Sequence, residues 1–388
     1  MSDRVVVDAR PVDIPSLRRR GIGRFAASLV PELAAVAVER GGELVLLRER
    51  GGAGSEFAAR TPAVRSESVR VVRLPRAPVP ERIADLPDQL LLPGVLRHRR
   101  ASLFHALSMY RLPLFPGPPA VVTMHDVIPL IRPGQLRTGA VHGLLYAAVR
   151  RATRVIAVSE AGRDDLIAHL GVPAERVDVV HEAPAPQFVP TAADAVLARL
   201  GLTVPYVLHV GGADPRKNVG ALVDAFAGWA GERLESLVLA GPLRDAERAD
   251  LEARVRASEG RVRALGFVAD ADLPALYSGA RCLVMPSSYE GFGLPAVEAL
   301  ACGTPVAAYD TGAVREVSGP GALLVRDGAM AELLAAVEAL CDDSALRARL
   351  AAAGRDQAAT FSWRRAAEET WDVYARARAS LAGRNVSA

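Results

Sequence analysis

Lysine is almost missing from this chain: of 47 basic residues 46 are arginine, and the one lysine is Lys217. A bias that strong, such as base composition would impose, makes the surviving ammonium a candidate for a task that arginine performs less well. It is a compact, strongly hydrated charge on a flexible stem. Cysteine is scarce too. Cys282, Cys302 and Cys341 form no CxxC pair and have no histidine cluster around them, so the spacing indicates neither a disulfide framework nor a metal cluster. Aromatics make up only 5% of the residues, and Ala, Val and Leu carry the apolar half, a mix that suits layered α/β packing. The start, MSDRVVVDAR, lacks the apolar core of a signal peptide. No apolar run reaches the length of a membrane span, and the chain reads as cytoplasmic. No internal repeat or low-complexity tract stands out.

What is present is enough chain for two cores. The 388 residues suit two domains of similar size. Charge is uneven between them: residues 1–190 hold 26 basic against 19 acidic side chains, and residues 191–388 hold 21 against 25. A basic N-terminal half fits an anionic acceptor or peripheral contact with a membrane surface, although scattered arginines on solvated faces produce the same sum. No nucleic-acid partner is expected.

Short aliphatic runs alternate with helical stretches throughout. Strands are predicted at Val5–Asp8, Leu44–Leu47, Val69–Leu74, Leu103–Ala106, Ala120–Met124, Val155–Val158 and Val177–Val180. After a proline-rich linker at Ala183–Pro190 come Tyr206–Val210, Leu237–Ala240, Val262–Leu265, Cys282–Met285 and Pro305–Ala308. Such alternation implies right-handed βαβ units and two parallel sheets, hence an α/β fold of two Rossmann-like domains facing a central cleft, with ligands at the strands' carboxyl ends. We place the domains at residues 1–185 and 186–365. A C-terminal helix, residues 366–388, carries Trp371 and Tyr374 in an apolar stripe that begins at Trp363, with Ser362 as a candidate N-cap. Pro-rich stretches near 75–80 and 112–119 read as surface loops.

The strongest motif is Pro286-Ser287-Ser288-Tyr289-Glu290-Gly291-Phe292-Gly293-Leu294-Pro295-Ala296-Val297-Glu298. It leaves a strand and opens a helix, with Pro295 in the first turn and Gly303 and Pro305 beyond its end. Its glycines leave backbone amides uncovered at a helix N-terminus, a ready site for phosphate or hydroxyl oxygens. Glu290 and Glu298 flank that turn as acceptors for hydroxyl donors. Alone, each has a plainer reading, as a solvated loop acid or a partner of the helix dipole. The second motif is Gly211-Gly212-Ala213-Asp214-Pro215-Arg216-Lys217-Asn218, after the strand ending at Val210. Arg216 and Lys217 at a strand's carboxyl end can neutralise a diphosphate leaving group without a metal ion.

These residues resemble the family 4 retaining glycosyltransferases of GT-B architecture. The frame Glu290-x7-Glu298 with Gly-Phe-Gly-Leu inside it matches that family's signature. Val7-Asp8-Ala9-Arg10, Gly21-Ile22-Gly23-Arg24, Thr123-Met124-His125-Asp126-Val127-Ile128-Pro129 and Val155-Ile156-Ala157-Val158-Ser159-Glu160 resemble a mannosyltransferase-like subgroup of bacterial polysaccharide assembly. The resemblance implies transfer of a hexose, with mannose favoured, from a nucleoside-diphosphate sugar to an acceptor hydroxyl, with no metal or other cofactor. Departure of the leaving group and attack of the acceptor would share one face. Glu290 would hold hydroxyls of the donor sugar and Glu298 the ribose. Arg216 and Lys217 would bind the diphosphate, and the amides of Gly291, Phe292, Gly293 and Leu294 would meet sugar and phosphate. His125 would lie near the reacting carbon. Gly21 and Gly23, in the first loop, would let that loop approach the donor and acceptor closely, and the last helix would cross back onto the N-terminal domain. The lysine-poor composition suits a high-GC bacterium, where a saccharide, a glycolipid or a natural product could each be the acceptor.

Two departures from the family pattern stand out. Gly211-Gly212 replaces the common Gly-Arg, and His181-Glu182-Ala183-Pro184 replaces the usual Asn-Gly turn. Two other function classes compete. One is a glycoside hydrolase using Glu290 and Glu298, although retaining pairs stand ~5 Å apart and inverting pairs up to ~9.5 Å, whereas eight helical residues span ~12 Å. The other is a nucleotide-sugar-binding partner without activity. Asp270-Ala271-Asp272 fits the cap of a helix starting at Leu273 better than a metal site.

Overall fold

In the computed structural model the chain is described at residues 4–14, 21–51, 61–75, 85–114, 117–132, 140–202, 205–229, 235–241 and 245–386. Most of the 75–80 loop and residues 15–20, which precede Gly21, lie outside the described residues. The chain divides into two compact units. One comprises Met1–Glu182 together with Ser362–Ala388, and the other Ala183–Phe361.

The first unit is built on a seven-stranded parallel sheet. Its strands are β1 (Arg4–Asp8), β2 (Glu43–Glu49), β3 (Val69–Leu74), β4 (Leu103–Ala106), β5 (Ala120–Met124), β6 (Arg154–Ala157) and β7 (Val177–Val179), in the spatial order β3-β2-β1-β4-β5-β6-β7. Its helices include α1 (Gly21–Glu39), α2 (Asp85–His98), α3 (Ile128–Ile131), α4 (Ala140–Arg151) and α5 (Glu160–Leu170). The order reverses direction between β1 and β4, the switch point at which such sheets bind ligands. Along α1, Phe25, Leu29, Leu33 and Val36 recur at helical spacing and are all buried. Burial of that kind stabilises by ~1.5–3 kcal/mol per side chain. The sequence reading finds no spanning run, yet α1 is long and apolar enough to cross a membrane by length and composition. Half of its apolar window is buried inside the unit, as expected of a core helix.

The second unit holds a six-stranded parallel sheet: β8 (Tyr206–Val210), β9 (Ser236–Ala240), β10 (Val262–Gly266), β11 (Leu283–Met285), β12 (Val306–Tyr309) and β13 (Ala322–Val325), ordered β10-β9-β8-β11-β12-β13. Its helices are α6 (Asp194–Arg199), α7 (Val219–Ala227), α8 (Asp245–Ala257), α9 (Leu273–Ser278), α10 (Leu294–Ala301), α11 (Val314–Ser318), α12 (Met330–Asp342) and α13 (Ser344–Ala359). The switch point falls between β8 and β11, which pair in parallel.

Every strand expected from the sequence is present, with ends shifted by two residues at most; β13, a half-buried edge strand, is the addition. Other expectations need correcting. Gly21 and Gly23 sit inside the first turn of α1 rather than in a loop, and Gly21 is surrounded by open space. The segment Ala183–Pro190 starts at the division between the units and packs into the second: Ala183 and Phe188 are buried, and the Phe188 ring packs against Tyr277 at 5.9 Å. Asp272 occupies the N-cap of α9, but its side chain makes no cap and pairs with Arg199. The last helix, α14 (Trp363–Val386), starts directly after the expected N-cap Ser362, and its segment belongs to the first unit. Ser362 Oγ accepts from the Arg365 N–H at 3.4 Å. Trp363, Ala367, Trp371 and Tyr374 are all buried, and the Tyr374 hydroxyl bonds the buried His105 of β4 at 2.7 Å.

Candidate active site

The two strongest motifs leave adjacent strands. Gly211–Asn218 follows β8 and Pro286–Gly293 follows β11, so parallel pairing at the switch point brings residues 73 apart into contact. The loops are stitched through the backbone: the Ser288 N–H donates to the Arg216 carbonyl at 2.8 Å, and Arg216 Nη1 donates to the Tyr289 carbonyl at 2.9 Å. Arg216 and Lys217 form a short 3-10 turn with Pro215, which leads through Asn218 in the left-handed region (φ 53°) into α7. Asn tolerates that conformation better than most residues.

Glu290 lies between the two cations. Lys217 Nζ bonds Oε1, and Arg216 Nη1 reaches Oε2 at 3.1 Å, while Arg216 Nε pairs with Asp214 at 3.2 Å. Lys217 and Glu290 are both buried, at 7% and 5% exposure. Burial alone would raise the Glu290 carboxyl; the charges of Lys217 and Arg216 outweigh it and pull the pKa down to about 2. Burial also pulls Lys217 below its ordinary value, against the attraction of Glu290. The result is a group of two cations and two carboxylates, Glu290 and Asp214, at the place where a helix N-terminus also opens. Gly293 is the N-cap of α10 at φ 97°, a backbone state glycine adopts freely, and no side chain caps the first turn. That arrangement favours a bound anion.

Glu298 sits one turn into α10, 1% exposed, and accepts from the Tyr277 hydroxyl at 3.1 Å. The side chains of Phe292 and Leu294 are both buried, and Phe292 stands edge-on to Phe361 at 5.6 Å.

His125 follows β5 in the first unit. Its Nδ1 lies 3.0 Å from Glu182 Oε1 and its Nε2 3.0 Å from the Leu107 carbonyl. The Phe25 ring meets it edge to face at 4.7 Å. Burial would lower its pKa; the hydrogen bond and charge of Glu182, then the Leu107 carbonyl and Asp126, outweigh burial and raise it. At the neighbouring switch point the groups are ion-paired among themselves: Arg10 Nε to Asp8 at 2.9 Å and Arg48 Nε to Asp13 at 2.7 Å, all four buried.

Four residues of the sites escape the motifs. Tyr277 orients Glu298. Glu182 stands within hydrogen-bond reach of His125. Gly312, at φ 52°, lets the loop after β12 press on Glu290, since a Cβ there would stand 2.2 Å from the Glu290 carbonyl oxygen. His209, on β8 beneath the Lys217 loop, donates Nδ1–H to the Val284 carbonyl at 3.0 Å, and burial lowers its pKa to about 4. Its unpartnered Nε2 would lie 3.5 Å from a Cβ at Gly211, beside the Lys217 stem. A glycine in a loop after a strand, or a lone histidine on one, was the only sequence signal for the last two. Among the described residues, no group of three or more His, Cys, Asp or Glu is placed to hold a metal ion.

Two parallel-sheet Rossmann-like domains, with cations and carboxylates at a strand-end switch point, are the make-up of GT-B transferases. Comparison narrows the class. Residues 19–183 match the family described as Glycosyltransferase Family 4, and residues 199–357 match Glycosyl transferases group 1. The O-antigen chain mannosyltransferase B of Escherichia coli is 30% identical over an alignment covering 96% of this chain and 99% of that protein. The MMP alpha-(1->4)-mannosyltransferase of Mycolicibacterium hassiacum is 32% identical over 69% of this chain and 67% of the other. Sucrose-phosphate synthase from Thermosynechococcus elongatus shares the fold, with a TM-score of 0.78 at 22% identity over 98% of this chain and all of that one. The chain belongs to the family 4 glycosyltransferases.

Proposed function

We propose that the enzyme transfers a hexose, mannose in the first instance, from a nucleoside-diphosphate sugar to an acceptor hydroxyl with retention and without a metal ion. The observation that carries the reading is the contact of Lys217 and Arg216 with Glu290 beside the open N-terminus of α10. The diphosphate takes the contacts of Lys217 and Arg216 that Glu290 gives up, together with the uncapped amides. Glu290 turns to hydroxyls of the transferred sugar, and Glu298, held by Tyr277, accepts from the ribose. The bond from C1 to the diphosphate oxygen breaks, the bond from C1 to the acceptor oxygen forms on the same face, and the acceptor proton leaves on a phosphate oxygen. Arg216 and Lys217 stabilise the charge as it develops. Mannose is favoured by the two mannosyltransferase relatives.

The acceptor is a saccharide, glycolipid or natural product, met in the cytoplasm, with the basic N-terminal half available for peripheral membrane contact. The hydrolase alternative fits poorly. One carboxyl of such a pair must stay protonated to act as acid, a role closed to Glu290 with its pKa at about 2, and as the ionised member it has both oxygens engaged by Lys217 and Arg216.

The test is thermal unfolding against UDP, GDP, dTDP and ADP, with and without EDTA, followed by NMR of the product's anomeric centre. One nucleotide at ~100 times its dissociation constant should add ~2.7 kcal/mol of stability, unaffected by EDTA, and the new linkage should keep the donor's configuration. Silence toward all four nucleotides would overturn the diphosphate site. An inverted product, or loss of stabilisation in EDTA, would overturn the finer reading.

A further inference from the structure

The ring of His125 has acceptors on both sides. The Leu107 carbonyl stands 3.0 Å from Nε2 and the Glu182 carboxylate 3.0 Å from Nδ1. A carbonyl and an ionised carboxylate can only accept, and a neutral imidazole carries a single N–H. Satisfying both requires both nitrogens protonated, and the imidazolium is the form that has them. A neutral ring would point a lone pair at one of the two oxygens inside a buried site, which is costly.

The surroundings agree. The charged groups acting on the ring are Glu182, from the segment after β7, and Asp126, next to it in the chain; both are acids. From α1, Phe25 contributes an aromatic ring rather than a charge, and the loop after β4 contributes only the Leu107 carbonyl. Glu182 is itself 4% exposed, so its carboxylate needs a cation as much as the ring needs an anion.

We propose that Glu182 is a positioning residue for the transfer reaction, holding His125 in one ring orientation and in its doubly donating, positively charged form. This rests on the reading that His125 serves the transfer. In that form the ring has no lone pair, so it is neither base nor nucleophile. What it offers the substrate is a fixed charge, and the acceptor's proton must leave by another route, as the phosphate route above provides.

Glu182→Gln separates charge from shape. The amide can donate to Nδ1 while Nε2–H stays on the Leu107 carbonyl, which preserves ring orientation and packing but removes the charge near neutral pH. At ~pH 7.5 the turnover number should fall ~10–100-fold, the scale of losing a carboxylate behind a histidine, with donor KM within about twofold. The basic limb of the wild-type profile should move at least about one pH unit lower in the variant, toward the ~6.5 of an unaided imidazole. Nitrogen-15 NMR of wild-type His125 should find both ring nitrogens protonated at ~pH 7.5, and of the variant only one.

A lone-pair nitrogen in the wild-type ring, or an unmoved basic limb in the variant, overturns the proposal. His125→Ala distinguishes the layers. Full transfer by that protein overturns the role of His125 in the reaction, while the NMR of the wild type still decides whether Glu182 sets the ring's charge. If Glu182→Gln does not fold, the wild-type NMR titration decides the protonation claim alone.

Discussion

The two units use the same sheet order for opposite electrostatics. In the second unit an acid, Glu290, is surrounded by two cations at the ends of β8 and β11. In the first a potential cation, His125, is held between acceptors after β5, with the acid Glu182 on one side. The switch points differ as well. That of the second unit sets Arg216 and Lys217 around a shared carboxylate, Glu290, beside an uncapped helix, whereas at the first each buried arginine has its own partner, Arg10 with Asp8 and Arg48 with Asp13. A shared topology therefore fixes where chemistry can sit but not its sign. The sign is set by a few side chains on the loops, which is why fold likeness alone carries little about substrate.

The most severe way to break the contrast is Lys217→Ala. Glu290 keeps only Arg216, and the diphosphate loses its ammonium. Transfer should fall by ~10³ or more, the scale of removing a charge-stabilising group, and the folded state should lose ~3–5 kcal/mol because a buried carboxylate is left half-paired. Steady-state kinetics and chemical unfolding read the two losses. A variant with near-normal transfer would mean that the lysine is structural only.

Glu290→Gln comes next, with transfer down ~10². It also exposes the sign of the site's pH dependence. The Glu290 pKa lies below its ordinary 4.5, at about 2, so its pair with Lys217 contributes stability that is complete above 4.5 and lost as pH falls through about 2. The stability gap between wild type and variant should therefore close over that interval in acid titrations. A gap that stays constant would refute the ionised pair.

His125 should behave in the mirror sense. Its pKa is raised, so the Glu182 pair contributes fully below the ordinary 6.5 and fades as pH climbs through the folded value. The stabilities of wild type and Glu182→Gln, read by chemical unfolding, should converge on the alkaline side, by ~1.5–3 kcal/mol of lost difference, the range of a hydrogen bond to a charged group. Convergence on the acidic side instead would reverse the assignment of charge.

How far the sequence reaches follows from which contacts are local. The β8 and β11 loops were legible because strand, turn glycines and helix start lie in one short stretch, and Lys217 stood out against 46 arginines. The strands were legible from their aliphatic runs. β13 was not, since Ala322–Val325 is an edge strand with every residue half-buried and no alternation to betray it. The clamp of Lys217 on Glu290 is equally hidden, because both motifs point to a ligand and nothing local says that the two side chains face each other. Asp272 had the right residue type for a cap, yet Arg199, 73 residues away, offered its side chain a better partner. Glu182 read as a departure from a turn, and only the fold reveals the ring it supports.

Tyr277 is the subtlest of these long-range supports and the mildest to test. Its hydroxyl donates to Glu298 Oε2 at 3.1 Å, and the Thr304 hydroxyl donates in turn to the Tyr277 carbonyl, so the residue is held at its hydroxyl and at its backbone. On the proposed ribose contact, Tyr277→Phe leaves the Glu298 charge in place but removes the hydroxyl that bonds its carboxylate. Nucleoside diphosphate should bind roughly fivefold more weakly, matching the ~1 kcal/mol of one hydrogen bond. The preference for ribo- over 2′-deoxyribonucleotide should shrink, while the response to inorganic diphosphate stays unchanged. Calorimetry with the three ligands separates the outcomes. Equal weakening toward inorganic diphosphate would place Glu298 and Tyr277 under the phosphates rather than the sugar of the nucleotide.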